Sequence, residues 1–368
     1  MPLPSSAPTV VHLVTSLDFG GVESHMQTLA THAANSSMQL VFCAIGGGGA
    51  VERKLLGVGA EVICLRQPTR LPALSAIAAL SRLFWRLRPL VVHTHGAEAN
   101  FCGLIAAWLT RVPVRIGEEI GMPGHGRKAR AVFRAVYLLS HRVIGISQAV
   151  SDWLVASAEV PRRKVRRMYN PVELPGLRQQ PPPEGARFRI GFVGRLEVVK
   201  NPVVLIEVVD RLRQAGVDAD LWLIGDGSQR QHLEMLAREA GLENAVVFHG
   251  YQDDPAPLVR QCHVYVQPSL SEGFGLAFVE AMGCGVPVIV SATGGAAEIV
   301  ENGVSGWIVP VADGPALTAS LLAAHGLGRR ELARIGKQAR ASVQTRFQPG
   351  EYLSRLHGLY QQVLARAH

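Results

Sequence analysis

The sequence predicts an α/β protein made of two doubly wound domains in tandem. Three observations carry this. The chain has 368 residues, which at roughly 150 residues per domain favours two cores over one. Short β-branched runs alternate along it with amphipathic stretches, the signature of βαβ units and a parallel sheet. The alternation breaks once, at 171–186, where PVELPGLRQQPPPEGA carries five prolines. Such a stretch joins no sheet and acts as a semi-rigid spacer.

In the first half, strands are predicted at 9–15, 39–45, 61–65, 90–94, 113–116 and 143–146, with helices near 22–34, 70–87, 98–110 and 127–140. The strands are almost wholly apolar, as required when helices cover both faces of a sheet. After the proline-rich segment, strands follow at 188–193, 220–224, 245–249, 263–267 and 286–290, and the chain ends in a helix near 351–366. The expected divisions are a first Rossmann-like domain at 1–172, a linker at 173–186, a second such domain at 187–348 and a final helix at 349–368. Ligands in such folds bind at the C-terminal ends of the strands, so the cleft between the domains is the expected site.

Composition excludes several classes. Apolar residues make up 48% and charged residues 18%, so the chain is globular. No apolar run approaches the roughly 20 residues of a membrane span. The start lacks the basic region of a signal peptide, so a cytoplasmic protein is expected. Five scattered cysteines form no CxxC, which argues against a disulfide framework or zinc-finger site. The formal charge is +8, and it is lopsided: residues 1–175 hold 19 Lys/Arg against 10 Asp/Glu, residues 176–368 hold 18 against 19. A polyanionic partner for the first half is expected. Only 6% of residues are aromatic and no nucleic-acid module is present, so nucleic acid is not that partner.

Phe19-Gly20-Gly21-Val22-Glu23 follows the first strand and precedes a helix. Its glycines let backbone approach an anion at a helix start, although an ordinary tight turn reads the same way. It is not GxGxxG, so no nicotinamide or flavin fingerprint is present. The loop Gly194-Arg195-Leu196-Glu197-Val198-Val199-Lys200-Asn201-Pro202 follows the first strand of the second half. Arg195 could grip a diphosphate with two prongs and Lys200 as a point charge; standing alone, both could be solvated surface charges. The third signal is Ser271-Glu272-Gly273-Phe274-Gly275-Leu276, running on to Glu280. Glu280 lies eight residues after Glu272, about 80° around a helix, so both carboxylates could accept hydroxyls of one ligand.

Together the E-x7-E pattern at 272–280, the loop at 194–201 and the Gly20-Gly21 turn resemble the large retaining glycosyltransferase family 4, which has the GT-B fold of two Rossmann-like domains. The resemblance is specific over 190–310 and looser over 9–172. It implies that Arg195 and Lys200 bind the donor diphosphate and that Glu280 holds the ribose. Glu272, with the backbone of Gly273, Phe274, Gly275 and Leu276, would hold the transferred sugar. It also implies base recognition near 249–252, beside Tyr251, a donor role for Gly20 and Gly21, and a last helix that crosses back onto the first domain. Arg195, Lys200 and Glu272 are thereby the expected catalytic residues. The reaction expected is transfer of a hexose from a nucleotide diphosphate sugar (UDP or GDP) to a glycan or lipid-linked acceptor, with retention. The alternative is a GT-B nucleotide-sugar epimerase.

No metal or other cofactor is expected. Asp218-Ala219-Asp220 resembles a DxD metal motif but precedes a strand, where a solvated turn is the better reading. His93 and His95 share one strand face and could be a metal pair, but no third ligand is evident; a cleft-facing His95 or a buried structural histidine are the other readings. The family's acceptor-side His is replaced by Ile120 here, so His95, Glu118, Glu119 and Arg127 are the expected acceptor contacts. Residues 127, 130, 134 and 141 recur at helical spacing beside Val132, Phe133 and Val136. This is the pattern of a helix on a membrane, so an anionic membrane surface is the expected partner, with the protein peripheral on its inner face.

Overall fold

The structure, a computed structural model, describes residues 7–18, 20–33, 37–174, 176, 182 and 185–366. It divides into two compact units, Met1–Pro171 with Phe347–His368, and Val172–Arg346. Phe19 and eight residues of the proline-rich segment (175, 177–181, 183 and 184) lie outside the described residues.

The first unit is a seven-stranded parallel sheet. Its strands are β1 (Thr9–Val14), β2 (Gln39–Ala44), β3 (Glu61–Cys64), β4 (Val91–His95), β5 (Val114–Glu119), β6 (Arg142–Gly145) and β7 (Val165–Arg167), in the spatial order β3-β2-β1-β4-β5-β6-β7. Helices α1 (Gly21–Thr31), α2 (Ala50–Gly57), α3 (Leu74–Leu87), α4 (Ala97–Leu109), α5 (Arg127–Leu138) and α6 (Gln148–Ala156) join them. Sequence reading omits α2, whose start is obscured by the run Gly46–Gly49, together with α6 and β7. That last strand has three residues, two of them exposed arginines.

Alternation along β1 splits the core. Val11 and Leu13 face α3 and α4, packing on Leu80, Phe84 and Ala106. Val10 and Val14 face the other way, onto Met26 and Leu29 of α1. The rest of that second face is closed by the end of the chain. Helix α13 (Pro349–Leu364) places Tyr352, Leu353, Leu356, Leu359, Tyr360 and Val363 in the same cluster. Its spacing of buried residues is that of one helical stripe, and it packs on the first unit, as the resemblance implied.

The second unit is a six-stranded parallel sheet of β8 (Phe188–Val193), β9 (Ala219–Ile224), β10 (Val246–Gly250), β11 (Val264–Gln267), β12 (Val288–Ser291) and β13 (Gly306–Val309), in the order β10-β9-β8-β11-β12-β13. Its helices include α7 (Val203–Gln214), α8 (Arg230–Glu239), α9 (Ala256–Val259), α10 (Leu276–Gly283), α11 (Ala296–Ile299) and α12 (Gly314–Gln344), the last broken by non-helical backbone at Gly328. Successive strands run outward from β8 on one side and from β11 on the other. The loops after these two strands therefore diverge, which opens a crevice at the C-terminal edge of the sheet.

Two surface readings of the sequence change. Helix α5 ends at Leu138, and His141 lies beyond it with its Nδ1 accepting the Arg115 amide at 3.1 Å. Phe133 and Val136 are buried in the first unit. The apolar face of α5 is thus core, not a membrane-facing stripe; the exposed side carries Arg127, Lys128, Arg130 and Arg134 beside Val132. Asp218 and Asp220 are held by Arg187, each at 3.2 Å, which gives the DxD pattern a structural role at the start of β9.

Leu356 has no exposed surface. Leu356→Ala should lower unfolding free energy by about 2–5 kcal/mol, while Gln362→Ala on the exposed side of α13 should stay within about 0.5 kcal/mol. Urea denaturation of both variants measures the difference.

Candidate functional site at the switch point of the second unit

At the divergence of β8 and β11, two loops are stitched together. The Leu270 amide donates to the Val199 carbonyl at 2.9 Å, and Lys200 Nζ donates to Glu272 Oε2 at 2.6 Å. The same oxygen accepts from Gln267 Nε2 at 3.0 Å and Ser269 Oγ at 3.2 Å. Gln267 is itself fixed by the buried Tyr265, whose hydroxyl lies 2.5 Å from Gln267 Oε1. Glu272 is therefore aimed by three donors on Oε2, and its Oε1 accepts from none of the described residues. Lys200 spends one of its three N–H donors here and keeps two.

Arg195 is exposed and makes no side-chain hydrogen bond or ion pair among the described residues. Its loop is fixed from behind. The Leu196 amide donates to the Asp226 carbonyl at 2.9 Å, and Glu197 accepts from the Ser228 amide and hydroxyl at 3.0 and 2.7 Å. Gly225, at φ +141°, lets these strands' loops meet: a Cβ there would sit 2.0 Å from the Gly194 carbonyl oxygen. On the other side Gly294, at φ +57°, would place a Cβ 2.1 Å from the Glu272 carbonyl oxygen.

Helix α10 opens at Gly275, whose backbone is left-handed. The amides of Gly273, Gly275 and Leu276 donate to no acceptor among the described residues. Free amides at a helix start carry the positive end of its dipole and suit an anion or hydroxyl oxygen. Glu272 precedes the helix, so the angular argument that paired it with Glu280 around one helix does not hold; the loop geometry positions it instead. Glu280, inside α10, keeps part of its surface open, yet its carboxyl is enclosed enough for desolvation, with Asp254 nearby, to push it up to about 7. The carboxyl has no hydrogen-bond partner among the described residues. Tyr251, following β10, is half exposed at 50%.

The residues expected at the acceptor lie in the first unit, as do Gly20 and Gly21 at the start of α1. Arg127 is exposed. His95, Glu118 and Glu119 are not: all three are at most 2% exposed. Their side chains turn to one another and to the core, which corrects the expectation that they face an acceptor. Glu119 accepts the Tyr137 hydroxyl at 2.8 Å, and burial pushes its carboxyl up to about 7. Strand register collects the others. His12 pairs with His93 and His95 with Glu118 across neighbouring strands, and His25 of α1 comes down on the same face. His12 Nδ1 lies 3.0 Å from His95 Nε2, His95 Nδ1 lies 2.8 Å from Glu118 Oε1, and His93 Nδ1 lies 2.8 Å from the Tyr360 hydroxyl of α13. Sequence alone exposes only the His93/His95 spacing; His12, His25 and Glu118 join through register and packing.

These features define a doubly wound α/β protein with a candidate ligand site at a sheet switch point. Residues 19–174 match the model of Glycosyltransferase Family 4 and residues 176–342 that of Glycosyl transferases group 1. The chain belongs to this glycosyltransferase family. Among relatives it is 26% identical to the D-inositol 3-phosphate glycosyltransferase of an Arthrobacter species, over 79% of this chain and 78% of that protein. It is 29% identical to a glycosyltransferase of Methanocaldococcus jannaschii over 60% of this chain and 62% of that one, so the match spans about three fifths of that relative's length. Among solved structures, Anabaena HepE in complex with UDP-glucose superposes with a TM-score of 0.82 at 21% identity, covering 96% of this chain and all of that one. Sucrose-phosphate synthase of Thermosynechococcus elongatus gives 0.81 at 19% identity, covering 97% and 100%. The fold is the GT-B fold of these glycosyltransferases.

The raised Glu280 carboxyl has a consequence for stability. Folding raises its proton affinity, so the native state is favoured below the ordinary value of 4.5 and loses that advantage as pH climbs to about 7. Glu280→Gln should therefore gain stability over the wild type progressively between pH 4.5 and 7 and hold the gain at pH 8, as read from urea midpoints across that range.

Proposed function

We propose that the protein transfers a hexose from a UDP-linked sugar to a glycan or lipid-linked acceptor in polysaccharide or glycolipid synthesis, with retention of anomeric configuration. One observation carries this reading: Lys200 is aimed by Glu272 at the switch point while Arg195 beside it is unpaired. Two cations and the free amides at the start of α10 suit a diphosphate. A carboxylate oxygen without a donor, Glu272 Oε1, suits a sugar hydroxyl, and the unpartnered Glu280 suits a ribose diol. The nucleotide is read as uridine because the similar Anabaena HepE has been crystallised in complex with UDP and with UDP-glucose. The acceptor class draws on relatives named for amylovoran biosynthesis in Erwinia amylovora and for the lipopolysaccharide outer core.

In this reading the difficult event is departure of the diphosphate. Charge accumulates on its leaving oxygen as the glycosidic bond breaks. Arg195 meets it with paired N–H donors and Lys200 with its two remaining ones, preorganised by Glu272 so that little reorganisation is left to the reacting state. The acceptor hydroxyl attacks from the face the phosphate leaves, which preserves configuration without an enzymic nucleophile. The donor charge is met by Arg195, Lys200 and helix amides, with no divalent cation required at that site. Glu272 positions Lys200 and holds the sugar.

Lys200→Ala and Glu280→Ala should fold, with unchanged circular dichroism, and lose donor hydrolysis and transfer by about a hundredfold or more. Assay of released UDP measures it; wild-type rates in either variant contradict the assignment. Isomerisation of the donor without acceptor would assign an epimerase instead.

Attraction to an anionic membrane surface rests on charge alone, because the apolar face of α5 is core. Binding of the protein to vesicles containing phosphatidylglycerol should fall steeply as salt rises past about 0.15 M, where the screening length is about 8 Å. Arg127→Glu with Arg134→Glu should weaken it further. Sedimentation with vesicles reads both, and no binding at low salt removes the membrane claim.

A further inference from the structure

We propose that His12, His93 and His95 of the first unit hold a divalent cation of the zinc class that pins helix α13 to the sheet. One nitrogen from each of the three rings lies within 4.8 Å of the other two, and all three side chains are at most 1% exposed. His12 Nδ1 and His95 Nε2 are 3.0 Å apart, close to the roughly 3.3 Å between ligands that zinc–nitrogen bonds of about 2.0–2.1 Å impose in a tetrahedron. Two of the rings are already oriented from behind by oxygens. Glu118 Oε1 takes His95 Nδ1 at 2.8 Å, leaving Nε2 as the metal-facing atom, and the Tyr360 hydroxyl takes His93 Nδ1 at 2.8 Å. Metal-binding histidines are held in this way by carboxylates and hydroxyl or carbonyl oxygens.

The polar inventory of the pocket is otherwise unbalanced. Among the described residues His12 Nε2 and His25 Nε2 are buried without hydrogen-bond partners, and His93 Nε2 and Glu118 Oε2 have only each other, at 3.4 Å. Unmatched buried polar atoms are uncommon in native cores, and each asks for a missing partner. Among the described residues Glu118 pairs with no Lys or Arg; the ring nitrogens of His25, His93 and His95 lie within 4 Å of its carboxylate. A buried anion among imidazoles is compensated by a cation placed between them. On binding, the one proton between His12 Nδ1 and His95 Nε2 moves to His12 Nε2, so that both rings ligate as neutral imidazoles, and the Glu118 carboxylate offsets part of the metal's charge. Imidazole donors favour zinc, copper or nickel over magnesium or calcium. The site lies in a different unit from Lys200 and Glu272, and its role is to fix α13, which contributes Tyr360 to it.

The test uses the full chain, stripped with a chelator and then given zinc or cobalt(II) alone. About one zinc per chain should be retained after desalting, the melting temperature should rise by several degrees, and cobalt should give the visible absorption of a nitrogen-bound tetrahedral ion. His12→Gln and His93→Gln should abolish all three effects, whereas exposed His232→Gln should leave them intact. Zinc below a tenth of an equivalent with no cobalt spectrum in the wild type overturns the proposal, and so does an undiminished shift in both variants. The wild-type measurements decide the matter even if a variant fails to fold.

Discussion

The 2.6 Å contact of Lys200 with Glu272 is the constraint around which the second unit is arranged. It joins the only two loops of that sheet that part company at the switch point, since β8 and β11 are neighbours whose successor strands lie on opposite sides. Bringing a loop ammonium and a loop carboxylate together requires both backbones to be held. The 194–197 loop is clamped by Asp226 and Ser228, and the turn at 272–275 is backed by Gly294. The pair is largely buried, with side chains 19% and 14% exposed, and its value is positional. Glu272 leaves Lys200 with donors to spare, and the network behind Glu272, through Gln267 and Tyr265, leaves its other oxygen free.

The first unit solves the opposite problem. Its β1 and β4 strands bury His12, His93 and His95 on the face that α1 and α13 cover with Met26, Leu356 and Tyr360. Polar groups in such a place must find partners from the same small volume. Strand register supplies most of them: His12 beside His93, His95 beside Glu118. Helix α13, more than two hundred residues away in sequence, supplies the Tyr360 hydroxyl. The end of the chain is thus part of the first unit's core and of its polar cluster alike.

Much of this was legible in the sequence, for physical reasons. Parallel strands buried on both faces are short apolar runs, so β1, β2, β8 and β11 are visible without an alignment. Charged edge strands such as β7 and glycine-flanked helices such as α2 are not, because their local composition looks like loop. The residues proposed for the donor are legible because they recur at diagnostic spacing, Arg195 to Lys200 within one loop and Glu272 to Glu280 from a loop into α10. Orientation was less readable. Residues 127, 130 and 134 do share a helix, but Phe133 and Val136 point inward, and nothing in the periodicity says whether an apolar face meets core or membrane. His95, Glu118 and Glu119 look like site residues by type and position at strand ends. Their burial depends on cross-strand partners that only register reveals. The count of 100° per residue treats Glu272 as if the helix began there, whereas the chain places it one turn ahead of α10.

The central claim is that the switch point of the second unit takes the donor. Hydrogen–deuterium exchange of the full chain, with and without saturating UDP-glucose, tests it most directly. Slowed exchange in peptides covering 194–203 and 268–280 is the predicted result. Saturating binding, verified by calorimetry, with unchanged exchange in both segments would contradict it.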